Sequence, residues 1–243
     1  MIGARARIGV VVPATNTASE HEFWPAVPAG VTLSFARAVS SRDPDPVRRL
    51  SAYREGALKG AVELAEVKPS LIVWACTSGS FIRGVGYDRE LANAMGDAAR
   101  VPVLTTSTAL IAALKVLGVR KLAMGTPYPQ DITDIERRFF EGSVPGLSVV
   151  NTAIIDIADP YSRGLITPEE TDRLARRADV AEADAVLLSC TDLQSFAVID
   201  ALEQHLGKPV ISSNLATLWA MFGKLRIEPC AAPGSLWKHA YAD

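Results

Sequence analysis

Two cysteines each close an apolar run and are each followed by threonine. They lie in Val73-Trp74-Ala75-Cys76-Thr77 and in Leu187-Leu188-Ser189-Cys190-Thr191. A thiol at the carboxyl end of a buried parallel strand stands where α/β sheets bind their ligands. A helix starting just after it turns backbone N–H groups and a positive dipole end toward the sulfur. That environment lowers a thiol pKa from about 8.5 toward neutrality. Two such thiols facing each other across a cleft could work on opposite faces of one carbon, one as base or nucleophile and the other as acid. A single buried cysteine is more often a small core residue. The same placement twice in one chain favours chemistry. Cys230, in Pro229-Cys230-Ala231-Ala232-Pro233, has no counterpart and reads as structural.

Hydroxyls and amides cluster beside these thiols in the sequence. Cys76-Thr77-Ser78-Gly79-Ser80 supplies neutral hydrogen-bond donors that suit a carboxylate. Thr126-Pro127-Tyr128 places a phenol, and Pro13-Ala14-Thr15-Asn16-Thr17 an amide, just after apolar strands. Taken alone, Asn16 is more often a turn or helix cap and Tyr128 a packing aromatic.

The elements that must position these groups follow from periodicity. Short apolar runs at 7–12, 31–39, 71–75, 101–104, 121–124, 147–154, 185–189 and 209–211 read as strands. Helical spacing marks 46–67, 87–99, 107–117, 131–141, 167–181, 192–206 and 215–224. Alternating strands and helices give a mostly parallel sheet covered on both faces. The pattern also restarts. Arg7-Ile8-Gly9-Val10-Val11-Val12-Pro13 matches Lys121-Leu122-Ala123-Met124-Gly125-Thr126-Pro127, and Cys76 matches Cys190, both at an offset of 114 residues. Val101-Pro102-Val103-Leu104-Thr105-Thr106-Ser107 matches Lys208-Pro209-Val210-Ile211-Ser212-Ser213-Asn214 at an offset of 107. The expected fold is therefore α/β, two pseudo-symmetric doubly wound parallel-sheet halves with the active site in the cleft between them. Residues 1–106 plus 213–243 form the first half and 107–212 the second.

Composition narrows the function classes. The chain has 243 residues, 49% hydrophobic and 21% charged, which suits a globular core. Its 25 basic and 27 acidic residues give a net charge of −2, with no electrostatic reason to expect nucleic acid or a membrane surface as partner. Three cysteines point to a reducing compartment, and no apolar run approaches a membrane span, so the expected location is the cytoplasm. Gly84-Val85-Gly86-Tyr87-Asp88-Arg89 lacks the third glycine of a dinucleotide fingerprint. His21-Glu22-Phe23-Trp24-Pro25 lacks the second histidine of a zinc helix, and His21, His205 and His239 are the only histidines. No cofactor or metal is expected.

Together, the strand at 7–13, Asn16, Cys76-Thr77-Ser78, Thr126-Pro127-Tyr128, Ser189-Cys190 and Pro209-Val210-Ile211-Ser212-Ser213 resemble the aspartate/glutamate racemase superfamily. Within it the chain is most similar to the maleate cis–trans isomerase and arylmalonate decarboxylase branch, over nearly its whole length. The resemblance implies a cofactor-free enzyme acting beside a carboxylate. In the isomerases the first cysteine adds to the double bond of maleate and the second handles a proton, which maps onto Cys76 and Cys190. An asparagine like Asn16 and a tyrosine like Tyr128 bind carboxylate oxygens there. In the decarboxylases a Thr-Ser pair and a tyrosine hold the carboxylate that becomes an enediolate, matching Thr77, Ser78 and Tyr128. Their proton donor matches Cys190, and their first-half position is glycine where this chain has Cys76. The substrate-binding set expected here is Asn16, Thr77, Ser78, Tyr128 and Thr191. Family members are often oligomers, so a homo-oligomer of unspecified number is an expectation as well.

The leading expectation is a two-thiol isomerase acting on a small carboxylic acid, with maleate to fumarate as the best guess. The first alternative is a racemase or decarboxylase working alpha to a carboxylate through an enediolate. The second is a non-catalytic protein that binds a small acid.

Overall fold

The computed structural model describes residues 2–241. Up to residue 116 the chain builds β1 (Ala6–Pro13), α1 (Ala18–Phe23), β2 (Val31–Ala38), α2 (Pro46–Ser51), α3 (Tyr53–Ala65), β3 (Leu71–Trp74), α4 (Ser78–Phe81), α5 (Tyr87–Ala99), β4 (Val103–Thr105) and α6 (Thr106–Val116). Beyond it the chain builds β5 (Lys121–Thr126), α7 (Gln130–Ser143), β6 (Ser148–Ile154), α8 (Pro160–Arg163), α9 (Pro168–Ala178), β7 (Ala185–Leu188), α10 (Phe196–Leu206), β8 (Val210–Ser212) and α11 (Ser213–Leu225). Two four-stranded sheets result, in the orders β2-β1-β3-β4 and β6-β5-β7-β8, and all their pairings are parallel. The same order in both sheets is the structural form of the sequence repeat.

Burial explains the strands. β3 (Leu-Ile-Val-Trp) and β7 (Ala-Val-Leu-Leu) are buried at every residue, as expected for central parallel strands covered on both faces. β3 pairs Trp74 with Val11 on β1, and β7 pairs Leu188 with Gly125 on β5. Each strand ends two residues before its cysteine, so matched registers deliver matched thiols. The equivalent helices α6 and α11 also start alike. Thr105 caps α6 by accepting from Thr108 N–H, and Ser212 caps α11 by accepting from Leu215 N–H. These two helices pack on each other, with Thr217 Oγ1 donating to Thr106 Oγ1 at 3.0 Å.

Several helix boundaries differ from the periodicity. The stretch 46–67 is two helices, α2 and α3, separated at Ala52. No proline or glycine marks that break, so the apolar spacing runs through it. Asp45 caps α2 by accepting from Val47 and Arg48 N–H, with Pro46 in the first turn. The helix expected from 192 begins only at Phe196. The short helices α1, α4 and α8 carry too few residues to show a period. α9 starts with a capping box in which Thr167 and Glu170 satisfy each other's backbone N–H groups. Among the described residues, no helix is long and apolar enough to cross a membrane.

Candidate active site

Cys76 and Cys190 face one narrow, largely enclosed cavity at the carboxyl ends of β3 and β7. Thr77, Ser78, Tyr128 and Thr191 are in its wall, and so are Tyr53, Arg49, Arg163 and Asp192. The structure therefore brings six of the seven expected site residues to one cavity. Asn16 stands one layer behind. It is fully buried, its Oδ1 accepts from Ser19 N–H at 3.1 Å, and its Nδ2 donates to Thr191 Oγ1 at 3.1 Å. It caps the first turn of α1 and fixes Thr191 in the wall.

The surroundings of the two thiols differ. Gly79 N–H donates to Cys76 Sγ at 3.3 Å, inside the single turn of α4. A Cβ on Gly79 would sit 2.9 Å from that sulfur and 2.9 Å from the Trp74 ring, so the contact requires glycine. Ser78 adds a side-chain hydrogen bond to the thiol. Ser80 points away, donating to the Cys76 and Thr77 carbonyls at 2.8 and 2.9 Å. Thr77 gives its hydroxyl proton to Ser213 Oγ at 2.8 Å. A carboxylate in the cavity thus meets Ser78 and Tyr128 first, and Thr77 after its hydroxyl rotates.

Asp192 N–H donates to Cys190 Sγ at 3.4 Å, and the Tyr128 hydroxyl hydrogen-bonds to the same thiol. No helix starts there. Residues 191–195 form a turn, and Glu22 of α1 accepts from Phe196 N–H at 2.7 Å and from Ser195 N–H. Asn214 Nδ2 donates both to Glu22 and, at 3.1 Å, to the Thr191 carbonyl. A carboxylate from the first half thus caps α10 of the second and holds the Cys190 loop in place. Burial pushes the Glu22 carboxyl up to about 7, and the hydrogen bonds from Phe196, Asn214 and Ser195 pull against it.

The thiol electrostatics correct one expectation. Burial pushes Cys76 up to about 12 and Cys190 up to about 11, away from neutrality. A one-turn helix at Cys76 and none at Cys190 supply too little dipole to offset full desolvation. Asp192 raises Cys190 further, second only to burial, while the guanidinium of Arg163 lowers it. Burial also pushes Asp192 itself up to about 6.

Sequence reasoning missed Arg163 and Arg49. Arg163 is 7% exposed, lies 5.1 Å over the Tyr128 ring and donates to the Ile157 carbonyl at 2.9 Å. Pro160 after Asp159 was the available signal, since Asp159 caps α8 and thereby aims Arg163 inward. Sequence reasoning also discarded Glu22 with the failed zinc motif. Cys230 is exposed and remote from the cavity.

The family model of arylmalonate decarboxylase matches residues 52–236. A maleate isomerase from Alcaligenes faecalis is 27% identical, covering 91% of this chain and 92% of the relative. An arylmalonate decarboxylase from Bordetella bronchiseptica is 33% identical, covering 69% of this chain and 70% of the relative. In fold, the chain resembles a cysteine-to-serine variant of Nocardia farcinica maleate cis-trans isomerase with a covalently bound succinylcysteine intermediate. The TM-score is 0.86 at 24% identity, over 96% of this chain and 98% of that one. With three-quarters of its length matched by the model and a relative one-third identical over more than two-thirds of it, this chain belongs to the arylmalonate decarboxylase family.

Proposed function

We propose that this chain is a two-cysteine isomerase of a small unsaturated carboxylic acid, converting maleate to fumarate. The observation that carries the proposal is the pair of thiols, from equivalent strand ends, facing one cavity whose wall also holds Ser78, Thr77 and Tyr128. The likeness to a maleate isomerase over nine-tenths of the chain supports it. Cys76, as thiolate, adds to one alkene carbon. Ser78, Tyr128 and Thr77 hold the adjacent carboxylate while it takes up charge as an enediolate. Cys190 protonates the neighbouring carbon, giving a succinyl thioether on Cys76. Rotation about the new single bond, return of that proton to Cys190 and loss of the Cys76 sulfur give the trans acid.

Neighbours decide these roles. Cys76 adjoins the neutral donors, so the carboxylate they hold, on the carbon next to the one attacked, can take up charge as the sulfur adds. Cys190 adjoins Asp192, whose charge keeps it a protonated acid. Burial favours the neutral form of both thiols, so Cys76 gives its proton to solvent before the sulfur adds, and the hydrogen bonds from Gly79 N–H and Ser78 favour the thiolate that results. Asn16 acts through Thr191 by fixing the turn after Cys190.

A second reading, decarboxylation or racemisation alpha to a carboxylate, is favoured by the 33% identity to a decarboxylase and by a donor set that serves any enediolate. Incubation with maleate, racemic aspartate and phenylmalonate in deuterated buffer, followed by proton NMR, separates them. The proposal expects fumarate from maleate. Deuterium exchange into aspartate or loss of carbon dioxide from phenylmalonate, with maleate unchanged, would overturn it.

A further inference from the structure

We infer that Arg49 and Arg163 form an anion subsite that holds the far carboxylate of a dicarboxylic substrate, one arginine from each half of the molecule. Arg49 lies on α2 beside the first sheet, and Arg163 ends α8 beside the second. Both line the cavity of the two thiols. Both donate to the same oxygen, the Ala158 carbonyl, from Arg163 Nη2 at 3.4 Å and from Arg49 Nη2 at 3.5 Å. Two cations thus meet at one neutral acceptor. Among the described residues, neither has a carboxylate within 4.0 Å. Arg49 Nε is buried with no hydrogen-bond partner, although the side chain as a whole is only half-buried.

Nearby acids answer these charges only at a distance: the charge of Arg163 favours ionised Asp159 and Asp192, yet neither carboxylate comes within 4.0 Å of it. Asp159 is occupied by its own helix, accepting from Tyr161 N–H, Ser162 N–H and Ser162 Oγ. Asp192 is the one acid in the cavity wall, and its Oδ1 accepts from Thr17 N–H at 3.3 Å. The wall therefore carries two guanidinium groups against one carboxylate. Like charges brought together in a partly desolvated site repel unless an anion bridges them. A guanidinium is suited to do so, because its planar fork matches a carboxylate.

The subsite differs in kind from Ser78, Thr77 and Tyr128. Neutral donors suit the carboxylate beside the reacting carbon, where charge develops. A fixed cationic pair suits a carboxylate whose charge does not change, and its grip is equal in ground and transition states. The inference rests on the proposed isomerase reading for which end of the substrate reacts.

Its test needs no turnover. Succinate and butyrate are titrated into the intact protein by calorimetry, then into Arg49→Gln and Arg163→Lys. Succinate should bind the unaltered protein at least about tenfold more tightly than butyrate, as charge-assisted contacts permit. Arg49→Gln should cost succinate about tenfold and leave butyrate within about twofold. Arg163→Lys keeps the charge but loses the planar fork, and should narrow the same preference. Equal binding of the two acids, or a loss shared equally by both in the variants, would overturn the subsite. A protein that leaves maleate unchanged yet prefers succinate through Arg49 keeps the subsite and loses the reaction. One that isomerises maleate with no such preference loses the subsite alone.

Discussion

The loops after the two cysteines began as one sequence pattern and ended as two devices. After Cys76 the chain enters a turn of helix whose Gly79 N–H and Ser78 point to the sulfur, and that turn carries no acid of its own. After Cys190 it makes a turn that carries Asp192 into the cavity and is tied down by Glu22 and Asn214. The sheets beneath are the same in strand order and in the distance from strand end to thiol. What separates the roles is therefore the four or five residues past each strand. A symmetric frame supplies two facing thiols, and asymmetric loops make one of them a nucleophile and the other an acid.

The comparison breaks first at the thiols themselves. Cys76→Ala should reduce maleate turnover by about a thousandfold or more, since no covalent step remains. Cys190→Ala should also block release of the trans acid, with the distinction visible in what accumulates rather than in the rate. Equal, near-normal turnover in Cys76→Ser, assayed by loss of maleate absorbance, would end the two-thiol account.

Asp192 sharpens the comparison next. Above about pH 6 its carboxylate is ionised and opposes a second negative charge on Cys190. Asp192→Asn should therefore lower the apparent pKa of Cys190 alkylation by about one unit. Cys76, for which Asp192 is the weakest of the named influences, should move less. Iodoacetamide rates against pH, read peptide by peptide, measure both. An equal shift at both thiols would contradict the asymmetry.

A smaller effect concerns the layer under the second loop. Glu136 on α7 is fully buried, hydrogen-bonded to Ser189 Oγ, and its Oε2 has no partner. Burial pushes its carboxyl from 4.5 up to about 8. The neutral form is the one the fold accommodates. Its contribution to stability is whole below about pH 4.5 and is lost as pH rises through about 8. Glu136→Gln should flatten the fall in urea midpoint between pH 5 and pH 9. An unchanged slope would show that Glu136 is not the group titrating. The smallest effect is expected at exposed Cys230, where serine should change stability by no more than about 0.5 kcal/mol and leave turnover intact.

Much of this was legible in the chain. Continuous apolar runs become central strands because both faces are covered, and the repeat offset of 114 residues placed Cys190 opposite Cys76. Ser78, Thr77, Tyr128 and Thr191 were found from their proximity to strand ends. Most of what escaped depended on tertiary contacts. The start of α10 is set by Glu22, more than 170 residues away, so local periodicity placed it at 192. Asn16 was expected in the cavity, but its amide is taken by Thr191 and its carbonyl by α1. The thiol pKa was expected to fall through helix dipoles, yet full burial decides its direction. Arg49 and Arg163 close matching stretches, Asp45-Pro46-Val47-Arg48-Arg49 and Asp159-Pro160-Tyr161-Ser162-Arg163, at the repeat offset of 114 residues, a legible signal that was overlooked, and the fold brings both to the Ala158 carbonyl.

The central claim is that Cys76 forms the bond to carbon and Cys190 moves the proton. It is tested most directly by incubating Cys190→Ala and Cys76→Ala side by side with maleate, then mapping added mass by peptide mass spectrometry. Without the Cys190 thiol, an enediolate protonated by water becomes a succinyl thioether that cannot be deprotonated again. Cys190→Ala should therefore accumulate the mass of one maleate on Cys76, and Cys76→Ala should carry none. An adduct found on Cys190 in Cys76→Ala, with none in Cys190→Ala, would contradict the account by reversing the roles.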